Sequence, residues 1–254
     1  MTLNGERLVP NKTTDSFYLE HIHLYQFTEQ FVSGKTVLDI GCGTGYGSAK
    51  LLDLDAKRVE AIDRDKEAVA YAERRYKRNK LTFRVADALA IPFKKEMFDV
   101  VISFEVIEHI KDPHIFIQEA MRVLKKGGVF ICSTPNQLQY RGGTSPYHTI
   151  EFTPPEFSSL FGHAGYSFQL FGQQITNQPV IRAQKEYFTR YQALTFKNTA
   201  VKKLLHRIPS SWKTKIYLSL WKDLPPLTEK DFLITNSHIQ NAVTLIGVCK
   251  KQKS

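Results

Sequence analysis

Residues Val37-Leu38-Asp39-Ile40-Gly41-Cys42-Gly43-Thr44-Gly45-Tyr46-Gly47-Ser48 join a short apolar run to three closely spaced glycines and then to a helix-like segment. This pattern predicts a buried strand, a tight loop and a helix start. Glycine at 41, 43 and 45 leaves no Cβ where the backbone turns, so a bound group can lie directly against main-chain N–H groups. A chain of 254 residues, 42% of them hydrophobic, is long enough to build one large α/β domain with a full core around such a strand, and no second globular domain is required.

The glycine spacing discriminates between ligands. The dinucleotide pattern G-x-G-x-x-G counted from Gly41 needs glycine at 46 and meets Tyr46. The phosphate pattern G-x-x-x-x-G-K-[ST] fails because no Gly-Lys-Ser/Thr follows. What stands here is Asp-x-Gly-x-Gly-x-Gly, with Asp39 inside the strand end, where it would repel a pyrophosphate and suit a cation. This stretch resembles the first motif of class I S-adenosylmethionine-dependent methyltransferases. The resemblance implies that Asp39, Gly41, Cys42, Gly43 and Gly45 hold S-adenosylmethionine, with S-adenosylhomocysteine as product.

Further acids follow in register. A helix from about Tyr46 to Leu54 leads to a second strand, Arg58 to Asp63, whose final carboxylate can accept from ribose hydroxyls. After a helix from about Lys66 to Lys77, Leu81 to Ala88 reads as a third strand ending in Asp87. In the resembling family a carboxylate at the Asp87 position accepts from the adenine amine and the next N–H, here that of Ala88, reaches the ring. The same resemblance adds Arg64, beside Asp63, and Phe104, at the end of the fourth strand, to the cofactor site. Ile91-Pro92-Phe93 resembles the turn closing over the adenine; simple loop packing is the other reading.

The fourth strand, Phe98 to Phe104, is apolar and β-branched, as a central parallel strand should be. It runs into Glu105-Val106-Ile107-Glu108-His109, for which three readings stand side by side. The run resembles the ubiquinone-biosynthesis O-methyltransferases, which implies magnesium held by Glu105, Glu108 and His109. His109 as a general base is the second reading, because an imidazole titrates near neutrality. The third is structural, with the glutamates capping the loop and the histidine packing.

Pro113 to about Leu124 reads as a helix closed by Lys125-Lys126-Gly127-Gly128, with cations in the last turn and glycine beyond. The fifth strand is Val129 to Thr134. The loop after it carries His148, a second candidate base, with Glu151 placed to orient it. Ser-Thr-Pro-Asn followed by His-x-x-Glu-Phe resembles bacterial methyltransferases associated with surface-polysaccharide and glycolipid pathways. Pro154 to His163 reads as a helix, Tyr166 to Phe171 as the sixth strand and Ala242 to Cys249 as the closing strand.

The resemblance implies a Rossmann-like seven-stranded, mostly parallel sheet of order 3-2-1-4-5-7-6, the last strand antiparallel, flanked by helices. Residues 1–254 form a single domain on this reading: an N-terminal arm and helix over 1–35, a cofactor core over 36–172, a helical cap insert over 173–241 and a closing strand over 242–249. In the N-terminal part Phe17 to Phe31 reads as an amphipathic helix with Tyr18, His21 and Tyr25 on one face. Helices placed before the first strand of this fold often cover the cofactor, so Arg7, His21 and Tyr25 are candidates for its carboxylate or for the acceptor; a plain packing helix is the alternative.

The net charge of +10 is regional, with eleven Lys or Arg against four acids between residues 182 and 231. Within that region 201–208 and 212–222 alternate apolar, aromatic and basic positions at helical spacing, the pattern of an interfacial or cap helix with a basic rim, or of an ordinary packed helix. The expected acceptor is therefore a small molecule, sugar or lipid-linked hydroxyl, with a quinone-like phenol and an amine behind it. Contact with an anionic membrane surface and a homodimer are further expectations. A nucleic-acid-binding protein with a vestigial cofactor site is the rival class, but no RNA-binding module accompanies the basic region. With no signal-type run and no stretch of eighteen apolar residues, the expectation is a cytoplasmic protein. Cys42, Cys132 and Cys249 have no metal spacing and read as buried thiols.

Overall fold

The computed structural model describes residues 15–139, 148–162, 166–182 and 227–253. Arg7, the basic segments 201–208 and 212–222 and the loop 140–147 lie outside the described residues.

Helices α1 (Asp15–Phe27) and α2 (Glu29–Val32) precede β1 (Thr36–Ile40), α3 (Tyr46–Asp53), β2 (Arg58–Asp63), α4 (Lys66–Arg75), β3 (Leu81–Val85) and β4 (Phe98–Ser103). Then follow α5 (Pro113–Val123), β5 (Leu124–Pro135), α6 (Pro154–Ser159), β6 (Tyr166–Ile175), β7 (Phe232–Thr235) and β8 (Thr244–Lys251). The strands form a single sheet of order β3-β2-β1-β4-β5-β8-β6-β7. β1 to β5 run parallel, and β8 is antiparallel to both β5 and β6. The expected order is present, with one strand more than expected. β7 pairs antiparallel with β6 at the sheet edge and comes from the stretch expected to be a helical insert.

Strand alternation sorts the core into two layers. Leu38, Ile40, Val101, Phe130 and Cys132 point to the face covered by α5 (Phe116, Ile117, Ala120) and α6 (Phe157). Val37, Val59, Val100, Ile102 and Ile131 point to the other face, under α1 (Leu24, Tyr25) and α3 (Leu51). The helices start where their side chains satisfy the first N–H groups. Asp65 caps α4 through Glu67 and Ala68, Asp112 caps α5 just before Pro113, and Thr153 with Glu156 forms a reciprocal capping box on α6. Each such cap contributes about 1 kcal/mol.

Lys125 to Gly128 differ from the expected helix end. The chain leaves the helical conformation at Leu124 (ψ 132°) and these residues bulge within β5, because the register against β4 jumps from Phe98↔Leu124 to Val100↔Val129. Lys125 serves the sheet instead, its Nζ lying 2.8 Å from Asp99, and Arg122 is the basic residue in the last turn of α5. Among the described residues no helix is long and apolar enough to cross a membrane.

Candidate active site

At the carboxyl end of β1 the chain turns sharply, with the N–H groups of Gly41 and Cys42 both donating to the Ile62 carbonyl at 2.8 and 3.0 Å. Gly45 starts α3 at φ +84°, and a Cβ there would meet Ala72 and Phe83 at 2.7–2.8 Å, so the position demands glycine in both conformation and space. Gly43 N–H donates to Asp63 Oδ2 and Asp65 N–H to Asp63 Oδ1, each at 2.8 Å. Asp63 thereby ties the first loop to the second. Each of its oxygens keeps a lone pair for a ligand hydroxyl.

Asp39 is fully buried. Ser48 Oγ donates to its Oδ2 at 2.6 Å, and Tyr25 Oη lies 3.3 Å from each oxygen. Burial pushes its carboxyl up to about 6, against the pull of those hydroxyl bonds. Asp87 is exposed beyond β3 and accepts from Leu89 N–H at 2.9 Å; Ala88 packs at the rim of the core, and Arg64 is exposed. The Cys42 side chain turns into the core among Ala61, Val69, Ala72 and Phe83, which raises its thiol pKa and leaves only its backbone to face a ligand.

Helix α1 lies over this loop. The Tyr25 ring meets Phe104 edge-on at 5.0 Å, and Tyr18 and Tyr46 stand 5.4 Å apart. His21 Nδ1 and Tyr46 Oη are 3.0 Å apart, and burial lowers the His21 imidazole to about 4, so it is neutral at pH 7. Tyr46, which breaks the dinucleotide pattern, is thus the residue that anchors the covering helix. Sequence reasoning passed over Tyr46 and Ser48; the helix start Tyr-Gly-Ser, with a hydroxyl nine residues after a buried Asp, was the available signal.

Beyond β4 the two glutamates part company. Glu105 adopts φ +54°, an uncommon conformation for a side chain, and is held there by Ser133. Its N–H donates to Ser133 Oγ at 3.1 Å, and that hydroxyl donates to Glu105 Oε1 at 2.7 Å. Glu108 is buried and accepts from Thr134 Oγ1 at 3.3 Å. Ser133 and Thr134 are consecutive on β5 and so point to opposite faces, which places Glu105 on the α1 face and Glu108 on the α5 face. The expected metal set of Glu105, Glu108 and His109 is therefore divided. Glu108 and His109 share a short 3-10 turn, Ile107–His109, and Glu105 lies before it. Among the described residues the ligand atoms that converge, all within 4.8 Å of one another, belong to Glu108, His109 and His148.

The Glu108 carbonyl accepts from the N–H groups of Thr149 and Ile150 at 2.8 and 3.1 Å, docking the post-β5 segment against the post-β4 turn. That contact brings the two candidate bases together. Their rings are 5.0 Å apart and edge-on, His109 Nε2 lies 3.9 Å from Glu108 Oε1, and His148 Nδ1 lies 3.5 Å from Glu151 Oε1. Glu105 carries a carboxyl pushed up to about 8 by burial and by the neighbouring carboxylate of Glu20 on α1, with Ser133 opposing.

The donor set fits S-adenosylmethionine. Asp63 and Asp87 at the lip beside the glycine loop, with Asp39 buried beneath it, make the site acidic, which favours an ammonium or sulfonium and repels a pyrophosphate. Residues 38–132 match the family model described as "Methyltransferase domain". A Mycolicibacterium smegmatis protein named "probable S-adenosylmethionine-dependent methyltransferase" is 35% identical over 174 residues, covering 66% of this chain and 66% of that protein. The chain thus spans just under two thirds of the length of that relative. The ubiquinone biosynthesis O-methyltransferase of Pelagibacter ubique is 38% identical over 103 residues, 40% of this chain and 42% of that one. A SAM-dependent methyltransferase structure from Thermotoga maritima superposes with TM-score 0.60 at 17% identity, covering 94% of each chain, which speaks to the fold. With its strand order, glycine loop and sequence relatives in agreement, residues 38–132 form a methyltransferase domain of the class I S-adenosylmethionine-dependent kind.

Proposed function

We propose that this chain transfers a methyl group from S-adenosylmethionine to a hydroxyl oxygen of a small-molecule, sugar or lipid-linked acceptor. The observation that carries this reading is the Gly43–Asp63 tie, which sets the glycine loop and the acid of the second strand at one edge beside the histidine pair. When bound, the cofactor supplies an electrophilic methyl carbon on a sulfonium. Asp63 would hold its ribose, the loop N–H groups its methionine end, and Asp87 with Ala88 its adenine. His148, oriented by Glu151, would take the acceptor proton, with His109 beside it. Holding two reactants aligned and in near contact supplies about 7–11 kcal/mol in such reactions, and proton removal by a positioned base a further 10²–10⁴-fold. Calorimetric titration with S-adenosylmethionine tests the reading; micromolar binding that collapses in Asp63→Ala supports it, and no binding by the wild type refutes it.

A second reading rests on the convergence of Glu108, His109 and His148. Two imidazoles and one carboxylate suit a borderline transition metal better than magnesium, which prefers an oxygen shell. A metal there would lower the pKa of a phenolic acceptor. Turnover lost on chelation and restored by zinc, manganese or iron, but not by magnesium alone, would select it over histidine base catalysis.

A further inference from the structure

Three polar side chains cross the sheet under α1, on three adjacent strands. Gln173 of β6 stands opposite Thr244 of β8, and Ser133 of β5 is diagonal to Thr244, since Pro135 is that residue's direct partner. Diagonal neighbours lie roughly 7–8 Å apart. All three are buried, in a face otherwise lined by Ile131, Ile246 and Val248. Buried polar residues at such positions need hydrogen-bond partners.

Their donors are already committed. The Ser133 hydroxyl gives its one proton to Glu105, and the Thr244 hydroxyl bonds Glu20. Gln173 Nε2 donates to the Glu20 carbonyl at 2.9 Å and faces His23 Nδ1 at 3.2 Å. Left over are the carboxylate oxygens of Glu20 and Glu105, both partly exposed, and Gln173 Oε1, which is buried with no partner. These are acceptor atoms.

We propose that Glu20, Glu105 and Gln173 form the recognition floor for a polyhydroxylated acceptor, a sugar ring whose hydroxyls donate to this row. The inference rests on the methyltransferase reading and narrows its acceptor class. A flat phenolic ring would leave three acceptors unpaired, and a phosphate or carboxylate would face two acids. A ring carrying several hydroxyls offers several donors and stays uncharged. The floor lies on the α1 face of the sheet and the histidine pair on the α5 face, and the Glu105–His109 turn links the two at the sheet edge.

The test uses the full chain. S-adenosylhomocysteine is titrated first; at saturation the complex is screened by saturation-transfer NMR against methyl glycosides of glucose, mannose, galactose and rhamnose, with glucose 1-phosphate, catechol and cyclohexylamine as contrasts. The expected result is binding of at least one neutral glycoside. It should weaken at least tenfold in the Glu20→Gln/Glu105→Gln double variant, while S-adenosylhomocysteine affinity stays within threefold. Gln173→Leu, which removes the orphan acceptor and neither carboxylate, should weaken it at least threefold and covers the case of an unfolded double variant. A silent glycoside panel on a cofactor-competent protein, preference for a contrast compound, or glycoside binding unchanged in both variants overturns the proposal with the methyltransferase reading intact. Failure of S-adenosylhomocysteine itself to bind removes both.

Discussion

The Tyr25 hydroxyl, carried by the covering helix, lies 3.3 Å from both carboxylate oxygens of Asp39 on the first strand, where the acid is sealed from solvent. Cover and cofactor loop are therefore one hydrogen-bonded unit, and disturbing either should be felt in the other.

Removing that hydroxyl has a pH signature. Burial raises the Asp39 carboxyl to about 6, so its contribution to stability is complete below its ordinary value near 3.8 and is lost as pH rises through about 6. Tyr25 bonds favour the ionised form. Tyr25→Phe should therefore cost about 1–2 kcal/mol at pH 7.5 and distinctly less at pH 5, read from urea midpoints at the two pH values.

Gly47 of α3 sits against Tyr25 of α1, where any Cβ would overlap the Tyr25 ring. Gly47→Ala should push the covering helix away and destabilise the fold by about 1–3 kcal/mol. Hydrogen exchange should show faster exchange across residues 18–27 with α4 and α5 unaffected; unchanged protection of α1 would count against the tie.

Asp63 does two things at once, ordering Gly43 and Asp65 while offering lone pairs outward. Asp63→Ala should weaken S-adenosylhomocysteine at least about tenfold, the worth of one charge-assisted bond of about 1.5–3 kcal/mol. Calorimetry gives the number directly.

If His148 takes the acceptor proton, His148→Ala should lower kcat by about 10²–10⁴-fold with cofactor affinity retained, and Glu151→Gln should lower it less. Single-turnover methyl transfer would read this, and His109→Ala measured alongside separates the two imidazoles. Equal, small effects of all three would point away from histidine base catalysis.

Glu20 and Glu105 make stability fall as pH rises. Both carboxyls are raised, to about 7 and about 8, so their contribution is complete below about 4.5 and disappears as pH climbs through 7 to 8. The thermal midpoint should decline over pH 5 to 8.5, and Glu105→Gln should flatten that decline. A wild-type profile flat over this range would contradict the burial of the pair.

The parallel half of the sheet was legible because its signals are local. Val37 to Ile40 and Phe98 to Ile102 are apolar runs interrupted only by Asp39 and Asp99 and ending at glycine or polar turns, and Asp39, Asp63 and Asp87 recur at or near strand ends. What escaped was long-range. Nothing near Phe232 to Thr235 marks it as an edge strand until β6 supplies a partner, and the lysines after Val123 look like a helix end until the bulge against β4 is seen. The Glu-x-x-Glu-His spacing could not reveal that Ser133 and Thr134 would draw its acids to opposite faces. Glu20, Gln173 and Thr244 carry no motif, and only the fold makes them neighbours.

Ile175 pairs with Phe232, and Thr176 N–H donates to the Asp231 carbonyl at 2.8 Å, so the chain departs from the sheet and rejoins it at adjacent points. Whatever lies between those two residues is an excursion with a sealed doorway. The sheet fixes its two ends side by side, so a change in its length need not shift a strand or the glycine loop.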